Sequence, residues 1–190
     1  MTDLADVKRG KRDRLIEAAC EVIYTRGVEH SSLADIAAAA GVPLGNVYYY
    51  FKTKDDLVRA VIEALLTRGR TLLNAIDAAS GDPRERLKAL FGALAEQTDS
   101  IARYGCPSGS LCLELGKRAD GPGDAASLMR VPIDWAERQF SAMGRPDARD
   151  LAVEVIARYE GAALVTSTLR DPDLMTRAAA RVADWLDTLD

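Results

Sequence analysis

A single histidine, His30, stands in the whole 190-residue chain, so a multi-histidine metal site is excluded. Cys-x-x-Cys is missing, as are the Gly-x-x-x-x-Gly-Lys phosphate loop and a Gly-x-Gly-x-x-Gly after a strand-like run. The usual sequence signs of thiol-redox, nucleotide-hydrolysing and dinucleotide-dependent enzymes are therefore absent, and no metal or cofactor is expected. Cysteines are scarce: Cys20, Cys106 and Cys112 are odd in number and unevenly spaced, which argues against a disulfide framework and for a reducing cytoplasm. No apolar run approaches the ~18 residues of a membrane-crossing helix. The opening MTDLADVKRGKRDR is charged and leads into no apolar stretch, so neither a secretory leader nor a membrane partner is expected. Alternating β-branched residues between turn dipeptides are missing too, and no sheet is expected.

What remains is helix. The apolar spacing of Leu15, Ala18, Ala19, Val22 and Ile23 is helical, and Gly27 ends that run. Ser32-Leu33-Ala34-Asp35 is a Ser-x-x-acid start whose two side chains satisfy each other's orphan amides. Its helix carries Leu33, Ile36, Ala37 and Ala40 on one face and stops at Gly41. Pro43 is placed to open the next helix at its first position, with Leu44, Val47, Tyr48 and Phe51 on a common face. Thr53-Lys54-Asp55-Asp56 repeats the cap and starts a long helix over 54–79. Further helices are expected over 84–104, 109–117, 125–143, 147–170 and 173–189, separated by Gly- and Pro-bearing turns. The fold class is all-α: a three-helix head over 1–53 and a larger helical bundle over 54–190, connected by helix 54–79.

The charge divides along the chain in the same sense. From Lys8 to Lys54 there are eight Lys and Arg against five Asp and Glu, a net +3; from Asp55 onward there are seventeen against twenty-two, a net −5. A basic head on an acidic body suits a phosphate-facing function.

The informative stretch is residues 32–51, SLADIAAAAGVPLGNVYYYF. Two short helices joined by a tight turn at Gly41 form a helix-turn-helix, whose second helix enters the major groove of double-stranded DNA. On that helix Gly45 lets backbone approach DNA closely, and Asn46 carries an amide able to pair with adenine. Tyr49 and Tyr50 offer hydroxyls at phosphate-reaching length, and Lys52 and Lys54 add charge. Burying Tyr49 and Tyr50 would require a partner for each hydroxyl. The competing reading of the same residues is a helical adaptor whose tyrosine-rich tip binds protein.

These residues resemble the tetracycline-repressor (TetR) family of regulators, from Lys11 to Leu57. The likeness runs through small-Leu-x-Asp-Ile-Ala-x-x-Ala-Gly-Val (Ser32 to Val42) and Gly-x-Val-Tyr-x-Tyr-Phe-Lys-x-Lys (Gly45 to Lys54). The resemblance implies a dimeric, ligand-responsive DNA-binding regulator, by family habit a repressor released from a palindromic operator by a small molecule. It implies that Ser32 caps the second helix and touches phosphate, that Asn46 and Tyr49 face bases, and that Tyr48, Tyr50 and Lys54 grip the backbone. Val47, Ile36 and Phe51 match the core of the head. Ala34, Pro43 and Leu44 depart from the polar residues frequent in relatives, so DNA shape is expected to carry part of the specificity. Leu44 either contacts a thymine methyl or packs on the first helix. Lys8, Arg9, Lys11 and Arg12 are expected to form an arm ahead of the first helix that adds phosphate or minor-groove contacts, or to be a solvated tail.

In the body, helix 147–170 carries one apolar stripe of Leu151, Val155, Ala162, Val165 and Leu169 and a second of Ile156, Tyr159, Ala163 and Thr166. A helix apolar on two sides needs two packing surfaces. In TetR-like proteins helices equivalent to 147–170 and 173–189 pair with their copies, which implies a homodimer; the alternative is that both stripes fill the monomer core. The resemblance also implies a chamber for a small apolar or aromatic ligand, with Leu94, Tyr104, Leu111, Leu115, Leu128, Trp135, Phe140 and Tyr159 as candidate lining residues. Residues 104–116 resemble a Gly-Cys-Pro stretch of some of these regulators. Cys106, just before a helix start, is then either a thiolate sensor of oxidants or electrophiles or a small packing residue. A thiol peroxidase using Cys106 is the least implausible enzyme, but no catalytic residues are expected. Glu114 and Glu160 read as carboxylates of a solvated face.

Overall fold

The computed structural model describes residues 10–118 and 124–189. Among the described residues the chain is entirely helical: α1 (Lys11–Arg26), α2 (Leu33–Ala39), α3 (Leu44–Tyr50), α4 (Lys54–Ala79), α5 (Pro83–Ala95), α6 (Thr98–Tyr104), α7 (Pro107–Gly116), α8 (Ser127–Ala142), α9 (Ala148–Leu169) and α10 (Asp173–Asp187). None of them is long and apolar enough to cross a membrane.

The chain packs as two compact units, one of residues up to Leu65 with Leu111–Ala125, the other of Leu66–Ser110 with Ala126–Asp190. The first is thus larger than a 1–53 head, taking in the first turns of α4 and part of α7. Within it α1, α2 and α3 pack on one another around buried Leu15, Val22, Ile36, Val47 and Phe51. Local chemistry sets each joint. Gly27, at φ 82°, ends α1 and returns its amide to Ile23 O at 2.8 Å. Ser32 Oγ accepts the Asp35 amide at 3.1 Å while Asp35 accepts the Ser32 amide at 2.9 Å, closing the capping box that starts α2. The Ser32 hydroxyl, which also donates to the Asp35 carboxylate, and after it the Ser32 amide hold that carboxyl below the usual carboxylate range. After α2, Gly41 (φ 60°) donates to Ala38 O and Val42 to Ala37 O, a pair of reverse bonds that needs the left-handed conformation at Gly41. Pro43 stands one residue before its expected place, as N-cap of α3 rather than its first residue. Thr53 and Asp56 exchange bonds of 3.1 and 2.9 Å at the head of α4.

The second unit buries Leu87, Phe91, Ile101, Trp135, Phe140, Ala152, Val155, Met175 and Leu186 between α5, α6, α8, α9 and α10. The single helix expected over 84–104 is two helices here. α5 stops at Ala95, Gln97 leaves helical geometry (φ −99°, ψ 23°), and α6 then lies against α9 with Ile101 and Ala102 buried. Burial of that pair redirects the chain at Glu96–Gln97, a turn that carries no Gly or Pro. Helix α8 opens at Ser127 rather than 125 and holds Pro132 in its interior.

Candidate nucleic-acid interface

Helix α3 is short, and its two sides differ sharply. Val47 and, just past its end, Phe51 are buried in the head, and they fix the helix by its inner side. On the outer side Tyr49 is 77% exposed, and Tyr48 and Tyr50 are exposed with it. The rings of Tyr49 and Tyr50 meet edge to face, 4.9 Å between centroids at 89°, so each limits the other's freedom. Leu44, at the start of α3, is 40% exposed. Asn46 is half-buried at the edge of the same surface. At Gly45 an added Cβ would meet nothing within 4 Å among the described residues, none of which requires glycine there.

Residues 41–54 contain no Asp or Glu. Carboxylates next to this stretch are engaged: Asp35 in the α2 cap, Asp56 with Thr53 and with Arg59 at 2.7 Å, and Asp55 with both terminal nitrogens of Arg118 at 3.2 Å. Lys52 Nζ donates to Tyr48 O at 2.8 Å, closing the end of α3, and Lys54 Nζ reaches Glu29 O at 3.4 Å. An ammonium has three protons, so one carbonyl partner leaves others to meet an anion. The surface is thus polar, aromatic and cationic, which suits a polyanion with stackable and hydrogen-bonding edges.

The basic arm is corrected in part. Lys11 and Arg12 are the first residues of α1, not a segment ahead of it, because Gly10 serves as its N-cap and accepts the Arg14 amide. The Arg12 guanidinium lies over the Phe51 ring, 5.5 Å from its centroid. Lys8 and Arg9 lie outside the described residues.

The eight candidate ligand residues are divided between the two units. Leu111 and Leu115 are buried in the N-terminal unit, the other six belong to the second, and of these Tyr104 is 41% exposed on α6. Leu94 packs partly buried against the core to which Trp135, Phe140 and Tyr159 belong, and Leu128 is buried on α8. The indole N–H of Trp135 donates to the Asp77 carboxylate at 3.1 Å, Phe140 meets Trp185 edge-on, and Tyr159 meets Phe91 likewise.

Cys106 does not favour a thiolate, contrary to the sequence argument. The Gly109 amide does point at its Sγ, at 3.4 Å. Burial and, after it, the neighbouring Glu160 carboxyl outweigh that donor and push the thiol up to about 12. Burial also raises the Glu160 carboxyl, which is no solvated-face residue. The expected outcome is slow alkylation of native Cys106: at pH 7 only about one part in 10⁵ is thiolate. Peptide mapping after brief iodoacetamide treatment finds label on half-buried Cys112 before Cys106; rapid labelling of Cys106 contradicts this. Among the described residues no group of three or more His, Cys, Asp or Glu is arranged to hold a metal.

Comparison with known proteins agrees with this geometry. Residues 15–61 match the family pattern described as "Bacterial regulatory proteins, tetR family". The transcriptional regulator AcuR of Cereibacter sphaeroides is 34% identical over 174 residues, covering 84% of this chain and 77% of its own. The HTH-type transcriptional repressor DhaR of a Mycobacterium species is 29% identical over 164 residues, 80% of each chain. The crystal structure of a regulatory protein TetR from Rhodobacter sphaeroides superposes with a TM-score of 0.78 at 26% identity, covering 92% of this chain and 97% of that one.

Proposed function

The chain belongs to the TetR family of DNA-binding transcriptional regulators, and on that premise we propose that it is a ligand-released repressor that grips a two-fold operator as a homodimer. The division of labour is a DNA-binding head over 1–53 and a ligand-binding and dimerisation region over 54–190. Asn46 and Tyr49 face bases; Ser32, Tyr48, Tyr50, Lys52 and Lys54 hold phosphates; Gly45 admits a close backbone approach, and exposed Leu44 meets a thymine methyl. The observation that carries this reading is the exposed outward face of α3 around Tyr49, on a helix anchored inwardly by Val47.

One head supplies few base contacts, so specificity at operator level calls for two. Helix α9 supports the pairing. Its second stripe and the first half of the other stripe are buried, but the other stripe continues outward through Val165 and Leu169, the latter 64% exposed; Leu164 on the same helix is equally exposed. Those residues, with α10, form the dimer seam. An apolar or aromatic small molecule held in the body shifts the pair toward a state that fits the operator poorly, and its leverage equals its preference for that state. The name of DhaR as a repressor supports repression as the sense of control. The site of action is the cytoplasm, and no catalytic step is involved.

Salt titration tests this. Binding to duplex DNA weakens steeply from 50 to 200 mM salt as counterions are released, on the order of one unit of log–log slope per phosphate contact. Lys54→Ala weakens binding to all sequences alike and flattens the slope by about two units, one in each protomer. Anisotropy with two unrelated duplexes measures both quantities. A slope near zero in the wild-type chain is the signature of the protein-binding adaptor and contradicts the proposal, as does an unaltered slope in Lys54→Ala.

A further inference from the structure

The turn between α1 and α2 is held by a residue far along the chain. The backbone N–H of Val28 donates to Glu114 Oε2 and that of Glu29 to Glu114 Oε1, each at 2.8 Å. Two successive amides converging on one carboxylate form a small anion cradle with charge-assisted bonds. The fit is close: a Cβ on Gly27 would lie 3.2 Å from Glu114 Oε2. Other polar atoms of the turn are committed as well, with Ser31 Oγ donating to Gly27 O at 2.6 Å and the Ser31 amide to Val28 O at 3.2 Å. Glu114 is carried by α7 between Leu111 and Leu115, both buried within the same N-terminal unit. Beyond the end of that helix Arg118 pairs with Asp55 at the start of α4. The segment 111–118 therefore holds the backbone of the turn just before Ser32 and, through the Asp55 side chain, the start of α4 after Phe51, on either side of the α2–α3 pair.

We propose that Glu114 is a positioning residue for DNA binding: its carboxylate locks the 27–29 turn and thereby sets how α2 and α3 present Ser32 and Tyr49 to the operator. The proposal rests on the DNA-reading role of α3 given above. Without the carboxylate the two amides turn to water and the turn gains freedom, which must be surrendered again on the operator. The sign of the effect is diagnostic. Removing a negative charge from a DNA-binding unit strengthens binding by electrostatics alone, whereas loss of a positioning contact weakens it.

The test uses the full chain, its Glu114→Ala and Glu114→Gln variants, and a duplex selected for binding the wild-type protein. Amide hydrogen exchange is read at Val28 and Glu29 without DNA, and affinity is measured over a range of salt. The expected result for Glu114→Ala is accelerated exchange at both amides, about tenfold weaker operator binding, and a salt slope equal to that of wild type. Glu114→Gln keeps the stem and one acceptor oxygen, so it falls between the two and still reports if the alanine variant folds poorly. Unchanged or tighter binding overturns the proposal, and so does weaker binding with exchange at Val28 and Glu29 unaltered. A wild-type chain that binds no duplex overturns the DNA-reading role and this proposal together; accelerated exchange in the variants would then still mark Glu114 as the tether of the turn, separating the two failures.

Discussion

Asn46→Ala and Tyr49→Ala each collapse operator recognition while leaving the fold intact. A good base contact is worth about 1–3 kcal/mol of discrimination. In a symmetric dimer every substitution occurs twice, so each variant loses about 2–6 kcal/mol, or roughly 30-fold to 10⁴-fold in specific affinity. Binding to random duplex, which rests on phosphate contacts, changes little. Tyr49 is the cleaner of the two, because its side chain stands almost wholly in solvent and contacts chiefly the Tyr50 ring. Its removal is expected to move unfolding free energy by no more than about 0.5 kcal/mol. Competition between operator and random DNA, alongside a urea unfolding curve, checks both halves. Equal loss on both DNAs would reassign Tyr49 to the phosphate backbone.

Trp135→Ala is the most damaging change foreseen in the body. Trp135 is 1% exposed and lies among Phe140, Ala136 and the apolar faces of α5 and α9. Truncating a buried Trp typically costs about 3–5 kcal/mol through lost transfer energy and the cavity left behind. The change also deprives the Asp77 carboxylate of the indole N–H, although Arg86 remains 3.7 Å away. Trp135→Phe separates the contributions: most of the volume stays, the hydrogen bond goes, and the loss falls to about 1–3 kcal/mol. Urea denaturation at one fixed protein concentration measures this, since a dimer's stability depends on concentration. A loss below about 1 kcal/mol for the alanine variant would mean that this core is looser than its burial indicates.

The head was legible in the sequence because its structure is written in neighbouring residues. Ser32 with Asp35, Thr53 with Asp56, and the left-handed glycine at position 41 all act within five residues, and each does so in the folded chain. The exposed side of α3 was legible for the same reason, since Val47 and Phe51 occupy its inner side and leave the tyrosines out. Long-range pairings were not. Glu114 meets a turn 86 residues before it, and Arg118 meets Asp55 across 63 residues, so neither leaves a local pattern to read. Read locally, α7 therefore belongs to the body and Glu114 to a solvated face, and only the folded chain brings them to the head. The end of α5 was hidden because burial of Ile101 and Ala102, not a breaker residue, turns the chain there. At Cys106 the helix start does supply an amide donor, that of Gly109, but burial and Glu160 decide the outcome and neither is visible in GCPSG.

Whether α3 reads DNA as a symmetric pair is decided by selection of randomised DNA duplexes on the wild-type chain, followed by hydroxyl-radical footprinting of the winning sequence. The expected result is an inverted repeat whose two protected backbone patches lie on one face of the duplex, about 34 Å or a multiple apart, and are both lost in Tyr49→Ala. Enrichment of no sequence, or a single unpaired patch that survives Tyr49→Ala, would contradict it.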